Sequence, residues 1–188
     1  MIFEATEISG VHTVELERHV DDRGFFARAW CLREFGEHDL CNCVAQMNIS
    51  FNPRRYTMRG FHYQVAPYQE DKLLRCIRGA VHDVVIDLRP SSPTFMRHIT
   101  VRLSSTNYRA LFVPKGCANA FLTLEDDTEV TYLVSEFYTP AAERGVRWND
   151  LAFGIRWPSE PVAISDKDRS WPDFVGEPSA VLATAVQE

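Results

Sequence analysis

The chain has 188 residues, enough for one sizeable core, so a single domain spanning residues 1–188 is expected. Its net charge of −6 argues against general nucleic-acid binding, though a local basic pocket remains compatible with it. No apolar run reaches the length of a membrane span.

The opening Met1-Ile2-Phe3-Glu4 carries an acid early and lacks the basic-then-apolar order of a secretory leader, so a cytoplasmic location is expected. Residues 8–18 alternate loosely and are expected to form early strands. Asp21-Asp22-Arg23-Gly24 is a turn signal, followed by Phe25-Phe26. Residues 30–38 carry Trp30, Leu32 and Phe35 among charges, which predicts a short helix. The five cysteines, Cys31, Cys41, Cys43, Cys76 and Cys117, are odd in number and irregularly spaced. That is no disulfide framework, and Cys41-Asn42-Cys43 has no second pair at zinc-site spacing.

Residues 44–51 read as a strand carrying Gln46 and Asn48, and Pro53-Arg54-Arg55 as a loop. Strand then follows strand. Residues 72–78 set Lys72, Leu74 and Cys76 against Leu73, Arg75 and Ile77. Residues 80–88 carry Val84, Ile86 and Leu88 on one side, and residues 98–103 carry Ile99, Val101 and Leu103. The rhythm continues through 110–113, 118–124 and 128–137, broken by Pro114-Lys115-Gly116 and Glu125-Asp126-Asp127. Short strands between turn signals predict an all-β antiparallel sandwich or barrel. From about residue 159 the prolines 158, 161, 172 and 178 predict coil and short helical turns.

Met58-Arg59-Gly60-Phe61-His62-Tyr63-Gln64, with Lys72 downstream, is the stretch richest in chemistry. Histidine exchanges protons near neutral pH, and arginine and lysine hold anions. The group reads as a base beside two cations, suited to proton abstraction from an anionic substrate; the plain alternative is a strand histidine among surface cations. Arg59 and His62 have opposite strand parity, so a bulge at Gly60 is needed if both reach one site. Val130, Tyr132 and Val134 share a face, which makes Tyr132 either a core filler or a proton donor in a cavity.

The layout of a jelly roll with a polar interior invites comparison with metal-binding cupins, which use a His-x-His pair and a later histidine after a Pro-x-Gly turn. Here His62-Tyr63-Gln64 and Pro114-Lys115-Gly116-Cys117-Ala118-Asn119 keep the layout but put Gln64 and Asn119 where imidazoles would stand. Neutral amides are poor substitutes, and no metal is expected.

The chain resembles the dTDP-4-dehydrorhamnose 3,5-epimerases, the RmlC-like branch of the cupins. The resemblance rests on Arg23-Gly24-Phe25-Phe26, Gln46-Met47-Asn48-Ile49-Ser50, Met58 to Gln64, Lys72-Leu73, and Asp83-Val84-Val85-Ile86-Asp87-Leu88-Arg89. It continues through Ser92-Pro93-Thr94, Val113-Pro114-Lys115-Gly116, Glu143-Arg144-Gly145-Val146, Trp148-Asn149-Asp150, Ile155-Arg156-Trp157-Pro158 and Ser165-Asp166-Lys167-Asp168. It implies a cupin-type jelly roll with a few short peripheral helices, a homodimer free of metal and cofactor. The implied substrate is a nucleotide-diphosphate-linked 4-keto-6-deoxy sugar.

Carried over by position, His62 resembles the catalytic base, Asp168 its partner, Tyr132 the acid on the opposite sugar face, and Lys72 the group steadying the enolate. Arg23 and Arg59 resemble diphosphate ligands; Phe26, Gln46 and Asn48 resemble nucleoside and sugar contacts. Tyr138, Glu143 and Lys167 lie at further binding positions. The family usually has histidine where this chain has Asn119 and glutamate where it has Arg28, so both positions bear on substrate choice. A single-centre epimerase on another deoxysugar and a non-catalytic sugar-nucleotide binder remain as alternatives.

Overall fold

The computed structural model describes residues 1–40 and 43–175. Cys41 and Asn42, half of the close cysteine pair, lie outside them, as does the end of the chain beyond 175.

Two antiparallel sheets face each other. The first is ordered β1 (Ile2–Ala5), β2 (His12–Glu15), β10 (Ala110–Val113), β7 (Lys72–Arg78), β12 (Thr128–Val134) and β5 (Gln46–Asn52). The second is ordered β13 (Glu143–Gly145), β6 (Met58–Gln64), β11 (Cys117–Thr123), β8 (Ala80–Asp87) and β9 (His98–Ser104). Among the described residues, strands β3 (His19–Asp21) and β4 (Gly24–Phe26) pair only with each other, as a hairpin closed by the Asp-Asp-Arg-Gly turn. Neighbours far apart in sequence, such as β10 beside β2 and β11 beside β6, make this the jelly-roll arrangement of two stacked sheets. The predicted helix is α1 (Leu32–Glu37), and the tail holds α2 (Asp166–Arg169).

The strand alternation sorts side chains into three layers. Leu74 and Cys76 of β7, Val81 and Val85 of β8, Leu103, Leu111, Phe121 and Val130 fill the space between the sheets, with Ile99, Val101 and Tyr132 packed against them. The opposite parity of β7 and β10, Leu73 and Phe112, packs outward under Phe35 of α1. The opposite parity of β8, Val84, Ile86 and Leu88, packs outward under Phe153, Trp157 and the rest of the C-terminal segment. That double burial leaves β8 buried along nearly its whole length. The loop after β8 is tied down by Asp87, whose carboxylate accepts from Arg89, from Ser92 Oγ at 2.5 Å and from Thr94 Oγ1 at 2.7 Å. Burial alone would raise its pKa, but these donors hold it at about 2.

The irregularity that matters for the site lies on β6. Asn119 of β11 pairs with His62, but Phe121 pairs with Arg59, so three steps on β6 match two on β11. The extra residue is a β-bulge at Gly60, whose φ is +116°. A Cβ there would lie 2.5 Å from Ala120 Cβ and 2.6 Å from Asn119 O. The bulge turns Arg59 and His62 to the same side, as their parity demanded if both were to reach one site.

Gly60→Ala should therefore cost about 3 kcal/mol or more, combining backbone strain with overpacking against β11. Urea unfolding measures it; a midpoint within error of the native protein would mean that the bulge tolerates a side chain.

Candidate active site

The sheets leave a cavity of about 390 Å³ at the end where β5, β7 and β12 face β6, and it adjoins a second of about 150 Å³. His62, Lys72 and Tyr132 line both, from β6, β7 and β12 in turn. The first is also lined by Gln46 and Asn48 of β5, and by Tyr138 and Glu143; the second by Arg59 and Asn119.

His62 is anchored from behind. Its Nε2 lies 2.6 Å from Asp168 Oδ1, and Asp168 Oδ2 accepts the Gly60 backbone N–H at 3.2 Å. Asp168 is presented by α2, whose N-cap Ser165 accepts the Asp168 N–H at 3.0 Å. Burial pushes the Asp168 carboxyl up, but the hydrogen bond and charge of His62, the Gly60 N–H and Ser165 outweigh it, leaving the carboxyl below its ordinary range. The imidazole is thus fixed through one nitrogen. Among the described residues nothing hydrogen-bonds Nδ1, and the ring borders the cavity.

Across the cavity, burial raises the Tyr132 phenol above its ordinary value; Arg59 pulls it down and Glu70 adds to the rise. Tyr132 therefore stays protonated at neutral pH. The Lys72 ammonium donates to His62 O at 3.0 Å and Asn119 Oδ1 at 3.3 Å, and pairs with Glu70 Oε1 at 3.2 Å. Arg59 Nε donates to Asn52 Oδ1 at 2.7 Å, which holds the guanidinium at the cavity wall. At the rim, Glu143 accepts from Lys167 and from Tyr138 Oη, the latter at 2.7 Å. Burial works against the Glu143 charge, but these two donors hold its carboxyl below its ordinary range.

The structure thus brings His62, Tyr132, Asp168, Lys72, Gln46, Asn48, Arg59, Asn119, Tyr138, Glu143 and Lys167 to one region. It does not bring Arg23, Phe26 or Arg28 there. Arg23 pairs with Asp21 on the exposed β3–β4 hairpin, Phe26 is 71% exposed, and Arg28 pairs with Glu34 at 3.1 Å. The hairpin pairs with neither main sheet, so strand pairing does not carry it to the cavity.

Gln64 is a clamp. Its amide donates to Tyr68 O, Phe137 O and Glu70 Oε2, and its Oε1 accepts the Thr139 N–H at 2.6 Å, tying two loops together. His82 sits on the other face of β8 against Trp157, away from His62. Among the described residues no group of three or more His, Cys, Asp or Glu side chains has metal-site geometry.

Two carboxyls at the site escaped sequence reading. Glu70 has the parity of Lys72, which was the available signal, but it precedes the strand. Asp83 is buried on the inward face of β8 with Val81 and Val85, and among the described residues neither of its oxygens has a hydrogen-bond partner. Its place in the strand pattern gave no sign of lying near Lys72 and Asn119.

A family model described as dTDP-4-dehydrorhamnose 3,5-epimerase matches residues 5–175. The chain belongs to the dTDP-4-dehydrorhamnose 3,5-epimerase family. It is 38% identical over 170 residues to the enzyme of that name from Shigella flexneri, covering 90% of this chain and 94% of the relative. Among solved structures, the dTDP-4-dehydrorhamnose 3,5-epimerase of Bacillus anthracis, with TDP and PPi bound, superposes with a TM-score of 0.89 at 36% identity. It covers 92% of this chain and 99% of its own. ChmJ, a 3'-monoepimerase from Streptomyces bikiniensis in complex with dTDP-quinovose, gives a TM-score of 0.83 at 35% identity, covering 89% and 85%. A protein named as a 3,5-epimerase and one named as a 3'-monoepimerase therefore both share this frame.

Burial drives the Asp83 carboxyl well above its ordinary range, against the downward pull of Lys72 and the Asn119 amide. A folded pKa above the unfolded one contributes stability at low pH that is lost as pH rises toward the folded value. Asp83→Asn removes that loss. Its melting temperature should exceed the native one by a margin that widens as pH rises above the ordinary carboxyl range; a margin independent of pH would contradict a protonated Asp83.

Proposed function

We propose that the protein epimerises a dTDP-linked 4-keto-6-deoxy sugar at C3, C5 or both. The observation that carries this is the convergence of His62, braced by Asp168, with Tyr132 and Lys72 of the facing sheet on one cavity.

A ketone at C4 acidifies the C–H bonds at C3 and C5, because the carbanion left by proton loss delocalises onto O4. In this reading His62 removes the proton through the nitrogen that Asp168 leaves open, and Asp168 stabilises the imidazolium that forms. Lys72 stabilises the negative charge on O4 as it develops. Tyr132 returns a proton to the opposite face, inverting the centre. Arg59 takes the diphosphate, whose binding energy, remote from the reacting carbons, orients the sugar. Gln46, Asn48, Asn119, Tyr138, Glu143 and Lys167 shape the sugar and nucleoside sites. Asn119 donates or accepts hydrogen bonds but shuttles no proton, so proton transfer falls to His62 and Tyr132.

The same reading takes the active form to be a homodimer in the cytoplasm. Met47, Ile49 and Phe51, on the face of β5 away from the cavity, are 64, 66 and 49% exposed, and Val20, Phe25 and Phe26 add to the exposed apolar surface. Apolar groups so clustered along an edge strand are suited to contact with a second copy. In such a dimer Arg23 and Phe26 are free to serve the neighbouring cavity.

Two experiments test the proposal. Proton NMR in deuterium oxide with a dTDP-linked 4-keto-6-deoxy sugar should show exchange at C3, C5 or both, and inversion of the exchanged centres. His62→Ala should slow exchange by about 10³-fold, within the range general-base catalysis supplies, while still binding dTDP. Exchange at neither carbon in the native protein would end the epimerase reading. For assembly, Ile49→Glu should convert dimer to monomer in analytical ultracentrifugation, and a native protein that sediments as a monomer removes the dimer.

A further inference from the structure

An ammonium group has three N–H donors and no acceptor. Two of those on Lys72 are taken by His62 O and Asn119 Oδ1, at 3.0 and 3.3 Å, both on strands of the second sheet. The remaining one makes no hydrogen bond among the described residues, but Glu70 Oε1 stands 3.2 Å from the ammonium in an ion pair. A ligand that approaches this N–H from the cavity therefore meets an ammonium whose charge is already paired.

The three partners differ in how easily they yield. A backbone carbonyl inside β6 cannot leave without breaking the strand, and Asn119 sits inside β11. Glu70 lies outside any strand, in the segment joining β6 to β7, and lines the cavity beside Lys72 and Tyr132. Its second oxygen lies 3.3 Å from Gln64 Nε2, whose two N–H groups it shares with Tyr68 O and Phe137 O. Glu70 therefore has a second, shared contact that does not involve Lys72. Its charge also matters. A carboxylate held against Lys72 cancels the positive charge that an enolate oxygen needs, and it repels that oxygen as negative charge accumulates.

We propose that Glu70 is a built-in competitor of the substrate for Lys72. It pairs with the ammonium charge while the cavity is empty and yields it to the ketone oxygen, so that it sets how tightly the keto sugar binds. This deepens the reading of Lys72 as the group facing O4 and rests on it.

The test uses the full-length protein with Glu70→Gln and Glu70→Ala, the folding of each checked by thermal melting. Kinetics with the dTDP-linked 4-keto-6-deoxy sugar are set beside competitive inhibition by dTDP, which lacks the sugar. In Glu70→Gln the KM for the keto sugar should fall about fivefold with no loss in kcat, because a neutral amide holds an ammonium less strongly than a carboxylate does. The inhibition constant for dTDP should stay within about twofold, since the lost charge lies next to Lys72 and not at the diphosphate. Glu70→Ala should shift KM in the same direction. An unchanged KM, an equal gain for dTDP, or a loss of kcat with a higher KM in both variants overturns the proposal. The last outcome would make Glu70 a support for Lys72. Lys72→Met separates the two readings: if it turns over at the native rate, Lys72 itself leaves the mechanism, whereas a dead Lys72→Met with unaltered Glu70 variants removes Glu70 alone.

Discussion

The site depends on the attachment of His62. One carboxylate, Asp168, binds the imidazole with one oxygen and the Gly60 backbone with the other, so a single side chain fixes both the base and the bulge that presents it. Without the extra residue at Gly60, Arg59 and His62 would point to opposite faces of β6, one into the cavity and one into the outer layer. Because Gly60 abuts Ala120 and Asn119, the bulge also fits β6 closely against β11. The cavity wall, the base and the C-terminal α2 are in this sense one construction.

Charge is distributed unevenly around that construction. Asp168 is a buried carboxylate with enough donors to stay ionised; Asp83 has only the weaker pull of Lys72 and Asn119 against its burial and is driven toward its neutral form. The difference follows from partners, since both are taken out of water. Lys72 lies between the sheets with Glu70 on its cavity side and Asp83 and Asn119 nearby. If Asp83 were ionised as well, the lysine would stand between two negative groups and its field at the cavity would be reversed. A neutral Asp83 leaves the Lys72–Glu70 pair in control of the local potential.

The cavity mouth and the exposed surface are built from neighbouring positions. Gln46, Asn48 and Ser50 of β5 face the cavities, while Met47, Ile49 and Phe51 of the same strand face outward. Alternation along one edge strand thus supplies ligand contacts on one side and an apolar surface on the other. Any partner that covers the outer face would stiffen the strand that also lines the site.

Much of this was legible in the sequence. Period-two alternation in residues 72–78, 98–103 and 128–137 marked the strands and the inward face of Tyr132, although the last strand ends at Val134, because each inward position in a sandwich must be apolar or purposeful. The opposed parity of Arg59 and His62, with Gly60 between them, marked the bulge, since only glycine accepts that backbone so near another strand. Local patterns could not show which distant segments meet. Asp168 reaches His62 across 106 residues because α2 docks on β6. Glu70 and Asp83 gain their significance only from lying near Lys72. Arg23 and Phe26, whose motif resembled a binding segment, sit on a hairpin apart from their own cavity. Sequence alone determined the strands, their faces and the types of chemistry available, through steric and hydrophobic rules that act over a few residues. Tertiary structure alone decided which charged groups share a low-dielectric space, because their separation in space, and not along the chain, sets the interaction energy.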